Sequence, residues 1–597
     1  MRVRTVQQAT MTTSAKELTL PPAQSAHASR TLVRSNPLPR IVIAFAVAFG
    51  VVDAVATRNS MGPDGISYLD IADALQHGHW SALFNAQWSP MYPFLISLGF
   101  RAFHPSPYWE FATVHLVNLL IYLGALAAFS CFIKAFLGYT ARAENEMGIA
   151  SPISAGAWAT LGYALFVWSS ARLTSVDAVS PDMCLSAFIY LAAALLLRIR
   201  IEGGSWLTFS MLGVVLGLGF WAKAPMFPLA SIFLLVSIFA AADWRTGAKR
   251  AFVAGIIFFA IASPLVCGLS RAKGHLTFGE SARLNYSLFI NRVTRYYWQP
   301  AAPAALSAQQ YPAKQLFIRP TVYAFTIPPQ GTYPYWYDPT LWYSGVHPRF
   351  DLRGMAREMR VNLLFDARMF VRLQPAIPLA VLILVCLSAQ PALILRDVSR
   401  QWVLLAVPLA GLAMFSLVHT ERRYVAPFVG LVLLGFFTGI CLRNSSRSPG
   451  VFSWVICILA MFLMLQMSVS RSGELDSLRD LAARRESTGN ESWQVSNGLR
   501  ALGVEPGDTI AWIRPNTVNV SNNYWWARLA RVQIIAEVPN DGNEFWAANE
   551  AARSAALQSL AHTGVKAVVM SDVPAPVPSP NFVPVGSTGY YVHFYRN

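Results

Sequence analysis

The chain is polar up to about Arg40, apolar in long runs over 41–468, and mixed again over 471–597. A helix needs about 20 apolar residues to cross the hydrocarbon core of a bilayer. Runs of that kind stand at 40–57, 109–133, 152–170, 181–198, 206–221, 225–242, 251–270, 371–395, 401–418, 424–442 and 451–469, about eleven in all. The last 127 positions alternate differently. Short β-branched and aromatic runs at 509–513, 532–538, 566–570 and 590–595 predict strands, and 475–502 and 543–561 predict helices. The fold class that follows is mainly α: a polytopic helical membrane protein with a small C-terminal α/β soluble domain. Its parts are a disordered basic arm (1–39), a membrane domain (40–470) and the soluble tail (471–597).

Composition agrees with this division. The 597 residues are 54% hydrophobic and only 13% charged, about half the charge of a soluble chain. The formal net charge of +16 suggests nucleic acid in a soluble protein. Here the basic residues lie between apolar runs, where they set membrane orientation, and no nucleic-acid-binding motif accompanies them. All six cysteines fall in or beside apolar segments, so neither a disulfide framework nor a metal-ligand spacing is present, and they read as small core residues.

With the N-terminus inside, alternation puts Lys134 with Arg142, Arg198 with Arg200, Arg245 with Lys249 and Arg250, Arg396 with Arg400, and Arg443 with Arg447 in cytoplasmic connections. That places the chain in the plasma (inner) membrane with a cytoplasmic N-terminus and an extracytoplasmic C-terminal domain. It requires 89–104 to be an interfacial helix and not a span. Two outer loops follow, 58–108 and 271–370. Lys223, Arg422 and Arg423 then fall in short outer turns, against the orientation rule. An anionic ligand at the outer face would offset them, as would snorkelling or pairing with Glu421.

The first outer loop is dense with polar groups. Gly62-Pro63 breaks the chain and Asp64 opens a helix on which Tyr68, four residues on, shares its side. Asp64 suits an N-cap, and equally a general base that takes a proton from an acceptor hydroxyl. Tyr68-Leu-x-x-Ala72-x-x-Leu75 and Trp88-Ser-Pro-x-Tyr92-Pro93 follow. An Asp after the first span followed by these two motifs resembles the first outer loop of GT-C glycosyltransferases, a family that includes aminoarabinose transferases and protein mannosyltransferases. The stretch from Arg172 to Asp182 is similar to that family's arginine-to-aspartate segment. Lys223 stands where the family often has a lysine, and Glu421-Arg422-Arg423-Tyr424-Val-Ala-Pro427 resembles its late basic-Tyr segment. The likeness covers about 40–440 in order. It departs at Gly65, where many members carry a second acid.

The resemblance implies Asp64 and Asp182 as catalytic residues. It implies Lys223, Arg271, Lys273 and Arg422 as cations for a lipid phosphate, with Tyr68, Glu421 and Tyr424 against substrate. Arg423 is expected to matter less than Arg422, because adjacent residues rarely face one site. No metal ligands are assigned; a divalent ion (Mg or Mn) stays open as a cofactor, although the missing second acid speaks against a metal-bridged mechanism. The partners implied are a polyprenyl-phosphate-linked sugar donor, a lipid, glycan or protein acceptor, and membrane lipids, with no nucleic acid. The expected reaction is a single inverting displacement with Asp64 as base. The rival reading is a transporter or lipid flippase, which internal repeats and broken helices in both halves would favour. The aromatic runs Arg295–Trp298 and Tyr333–Tyr343 suit either sugar stacking or an interfacial belt. Tyr524-Trp525-Trp526-Ala527-Arg528 suits contact with carbohydrate, and better a core and turn role.

Overall fold

A computed structural model describes residues 37–62, 64–147, 153–293, 314–325, 331–342, 346–388, 391–441, 449–469, 478–483, 490–514, 524–539, 543–571, 573–575 and 581–595. The arm at 1–36, Pro63 and Arg295–Trp298 lie outside them. Helices occupy the predicted apolar runs. They are α1 (Leu38–Ala56), α2 (Gly65–Gln76), α3 (Met91–Phe103), α4 (Glu110–Met147), α5 (Ala155–Ser169), α6 (Asp182–Glu202), α7 (Trp206–Ala222), α8 (Met226–Ala240) and α9 (Trp244–Lys273). Then come α10 (Leu352–Leu373), α11 (Ala376–Leu387), α12 (Trp402–Ser416), α13 (Arg422–Cys441) and α14 (Pro449–Val469). This is a multi-pass membrane protein.

The helices differ from the expected eleven in length and continuity. Among the described residues six are long and apolar enough to cross a bilayer, or up to eight if each bent pair is one span. The run at 371–395 is not one helix. Leu352–Leu373 and Ala376–Leu387 meet at 86°, because Pro375 keeps Gln374 out of the helical region (ψ 67°). α5, α7 and α8 stand where predicted but have 15, 17 and 15 residues. The 89–104 segment is the short helix α3, which packs beside α2. Cys184 and Cys441 are buried as expected, whereas Cys131, Cys267 and Cys386 lie on exposed faces of the helices. In a membrane protein such faces are apolar because lipid, not water, meets them.

The tail forms α15 (Glu491–Ala501), β3 (Thr509–Ile513), α16 (Trp525–Ala530), β4 (Gln533–Val538), α17 (Glu550–Ala561), β5 (Ala567–Ser571), β6 (Val583–Pro584) and β7 (Tyr590–Phe594). Its sheet is larger than the tail alone provides. The second outer loop contributes β1 (Lys314–Phe317) and β2 (Val322–Ala324), giving the order β1-β2-β4-β3-β5-β7-β6. β2 runs antiparallel to β4, with Tyr323 opposite Glu537 and Ala324 opposite Ala536. Strands β4, β3 and β5 are parallel and buried, which is why their sequences read as continuous apolar runs.

One apolar cluster joins the tail to the loops. It holds Tyr68 of α2, Trp88, Tyr92 of α3, Tyr333, Tyr335, Val495, Trp512, Tyr524 and Trp526. The aromatic run at 333–337 is thus mostly interior. Tyr333 and Tyr335 are buried, and the Tyr333 hydroxyl donates to Glu537 Oε2 at 2.7 Å. Neither sugar stacking nor a membrane belt describes these two residues. They fasten the loop between α2 and the sheet.

Candidate functional site

Four helix ends converge on one face of the membrane domain: the N-terminus of α2, the N-terminus of α6, the C-terminus of α7 and the N-terminus of α13. Each brings one charged side chain. Asp64 holds the N-cap position of α2, yet its side chain makes no capping bond. Oδ2 instead receives Arg423 Nη2 at 2.9 Å, and Oδ1 receives the Trp336 indole N–H at 3.3 Å. Arg423 Nε also lies 3.7 Å from Asp182 Oδ2. Asp182, on the first turn of α6 and 2% exposed, takes Lys223 Nζ on its other oxygen. Arg423 therefore bridges the two aspartates, and Lys223 closes the far side.

Glu421 and Tyr424 support the two cations. Glu421 accepts from Arg423 Nε at 2.7 Å and faces His419 Nε2 at 3.4 Å. The Tyr424 ring lies 4.1 Å from Lys223 Nζ and 5.4 Å from the Arg423 guanidinium, an arrangement that attracts cations to its face. Burial works to raise the Glu421 carboxyl, but the His419 hydrogen bond and the Arg423 charge outweigh it and hold it at about 2. Burial also pushes the Lys223 ammonium below its ordinary value, against the raising effect of Asp182. Tyr68 lies deeper, packed edge-on to Trp88 and Tyr92 at 5.2 and 5.0 Å. Burial and the Asp64 charge lift its phenol well above the ordinary value.

Arg423 begins a helix, where the dipole favours anions. Its cost there is met by the three carboxylates it faces. The expected order of the two arginines is reversed: Arg423 enters the site and Arg422 is exposed. The premise that adjacent helical residues face different ways holds, but hydropathy and spacing do not say which one faces inward. Arg271 is likewise exposed at the end of α9. Lys273 is engaged one step away, with Asp338 Oδ2 at 3.0 Å and Thr340 Oγ1 at 2.9 Å, and so anchors the loop segment that carries Trp336. That tryptophan is a site residue the sequence reading passed over; it stood unsingled in an aromatic run.

Several motif residues serve as supports. Ser89 Oγ accepts from the Ala224 backbone N–H at 3.2 Å and fixes the turn after Lys223. The Trp336 carbonyl accepts from Ser67 Oγ at 2.7 Å and from the Trp88 indole at 3.1 Å. Gly65 also has a physical reason. A Cβ there would stand 2.2 Å from the Met61 Sδ and 3.2 Å from the Val179 Cβ, so any side chain at this position requires Met61 to move aside. Among the described residues no group of three or more His, Cys, Asp or Glu side chains is placed to hold a metal ion. Asp64 and Asp182 already face Arg423 and Lys223.

Fold and site together define a multi-pass membrane protein with a cluster of alternating acids and cations where four of its helix ends meet. No family model matches the chain, and no curated protein does. Among solved structures it is similar to apo ArnT from Cupriavidus metallidurans at 14% identity, covering 92% of this chain and 97% of that one, with a TM-score of 0.48. The same protein bound to undecaprenyl phosphate gives 12% identity, the same coverage and a TM-score of 0.46. The Archaeoglobus fulgidus oligosaccharyltransferase in complex with Zn and sulfate gives 12% identity, 89% and 68% coverage, and 0.46.

Proposed function

We propose that the protein is a glycosyltransferase that moves a sugar from a polyprenyl-phosphate donor to a hydroxyl acceptor at the outer face of the membrane. The observation that carries this reading is the Asp64–Arg423–Asp182–Lys223 chain at the converging helix ends. A lipid phosphate leaving group develops charge as the glycosidic bond breaks, and cations already fixed in place stabilise that charge without reorganising. Arg423 and Lys223 are such cations. They are 24% and 17% exposed, so they can exchange a carboxylate partner for a phosphate. Asp182 keeps the two apart and oriented.

In this reading Asp64 is the base. Its carboxylate is oriented by Trp336 and Arg423, is not spent on the helix cap, and takes the acceptor proton as that oxygen attacks the anomeric carbon. The phosphate departs from the opposite face, which inverts the centre. Orientation in an inner membrane, with the sheet domain extracytoplasmic, belongs to the same proposal. The test uses the purified full chain with a panel of polyprenyl-phosphate sugars and hydroxyl acceptors, following release of lipid phosphate together with glycosylated product. Stoichiometric product from wild type and none from Asp64→Asn supports the reading. Lipid movement across vesicles without chemical product, unaffected by Asp64→Asn, would make the protein a flippase instead.

A further inference from the structure

Five charged groups lie about two helical turns from Asp64 along α2, in a cluster that the transfer chemistry does not use. Arg528, on α16 of the C-terminal domain, is 5% exposed. Its Nε donates to Glu110 Oε1 at 2.8 Å and its Nη1 to Asp70 Oδ1 at 3.0 Å, with Asp73 Oδ2 at 3.5 Å. Glu110 begins α4 and is 1% exposed; its other oxygen takes Arg531 Nη2 at 2.9 Å. One guanidinium therefore ties together the soluble domain, a membrane helix and α2. The remaining capacity of Asp70 is used by the outer loop: the Thr332 N–H donates to Oδ2 at 2.7 Å and the Thr332 hydroxyl to Oδ1 at 2.8 Å. The Thr332 carbonyl in turn accepts from Ile534 N–H of β4 at 2.9 Å. At Gly331 (φ +70°) a Cβ would stand 2.6 Å from Asp70 Oδ2 and from Tyr337, so the close approach of loop to α2 requires glycine there.

We infer that Arg528 is a positioning residue for the transfer reaction: it fixes α2 against α4 and the sheet, so that Asp64 is held at Arg423. This rests on the proposed activity and deepens it, giving the C-terminal domain a task. Asp64 and Asp70 are six residues apart, about 9 Å along one rigid helix. A rotation or slide of α2 at Asp70 is therefore delivered to Asp64, and small misplacements of a reacting group are costly in rate. Only arginine suits the position. Its planar fork presents several donors at fixed angles, so it meets Glu110 and Asp70 at once, whereas a lysine supplies one point charge. Arg528, Asp70 and Glu110 are 5%, 5% and 1% exposed, so a lost contact among these three is not replaced by solvent.

Arg528→Lys in the full chain tests this, with Arg528→Met beside it. Hydrogen exchange is followed in peptides covering α2 and in peptides covering β3 and β4, and turnover is measured with the polyprenyl-phosphate sugar. In Arg528→Lys the α2 amides should exchange about tenfold faster while β3 and β4 keep their protection. Turnover should fall about tenfold or more with donor KM within about twofold, the pattern of a displaced base and not of a lost binding site. Should Arg528→Met not accumulate, the lysine variant decides alone. Unchanged α2 protection, or equal loosening of α2 and the sheet, overturns the inference. If wild type transfers no sugar at all, the proposed activity fails, and the exchange contrast still decides whether Arg528 holds α2.

Discussion

The same helix, α2, has one charged cluster at its N-terminus and another along its middle, and the two have the same makeup. At Asp64 three acids (Asp64, Asp182, Glu421) face two cations (Lys223, Arg423). At Asp70 three acids (Asp70, Asp73, Glu110) face two cations (Arg528, Arg531). They differ at the central arginine. Arg423 is 24% exposed, whereas Arg528 is 5% exposed between Asp70 and Glu110, and only the edge of its cluster, Asp73 at 38% and Arg531 at 29%, meets water. Partly exposed pairs gain little from each other in isolation and can be traded for a ligand. A sealed pair cannot be traded, because removing either partner strands a buried charge. Composition alone does not distinguish a reactive cluster from a structural one; the water around it does.

The largest expected contrast is between Asp64→Asn and Asp70→Asn. General-base loss typically costs about a hundredfold to ten-thousandfold in rate. Asp64 makes no side-chain cap, and asparagine keeps the shape, so the melting temperature of Asp64→Asn should match wild type. Breaking a buried pair costs about 3–5 kcal/mol, so Asp70→Asn should unfold earlier, with a rate loss nearer the roughly tenfold of a base that is displaced and not removed. Thermal unfolding paired with single-turnover rates separates the two. Equal effects of the two variants on both readouts would erase the distinction.

Next in size are the two adjacent arginines. Arg423→Ala should weaken donor binding about tenfold or more, because it removes a fixed charge from the phosphate position. Arg422→Ala should change it by less than about twofold, as expected of an exposed charge. Binding of a fluorescent lipid phosphate reads both. Salt extends the comparison: raising ionic strength should weaken binding at the Asp64 cluster and leave exchange protection at Asp70 unchanged, because screening acts on accessible charges.

The smallest effect concerns pH. Glu421 is held at about 2, below its ordinary 4.5. A lowered carboxyl contributes stability that is fully present above 4.5 and is lost as pH falls from there through about 2. Asp70 is displaced the other way: burial raises it, against the lowering effect of Arg528 and Thr332. Melting temperatures between pH 2 and 5 should therefore fall less steeply in Glu421→Gln than in wild type. A parallel curve would show that the Glu421 pairing adds nothing to the fold.

Hydropathy alone located the helices, since apolar runs of span length have few other uses, and alternation located β3, β4, β5 and β7 within a residue or two. Lys223 stood out as a cation in an outer turn against the orientation rule, and Asp64, Asp182, Glu421 and Tyr424 stood out through their places in short ordered motifs. Trp336 and Arg528 had neither signal. One sat in an aromatic run and the other in a short helix of ordinary composition. Their roles depend on contacts across 272 and 458 residues of chain, and no local pattern encodes a partner that distant. The choice of Arg423 over Arg422, the break at Pro375 and the two strands lent by the outer loop to the tail's sheet were decided the same way. Sequence sets which groups want burial, charge partners or lipid; only the packed chain decides which of them meet, and which of those meetings water can reach.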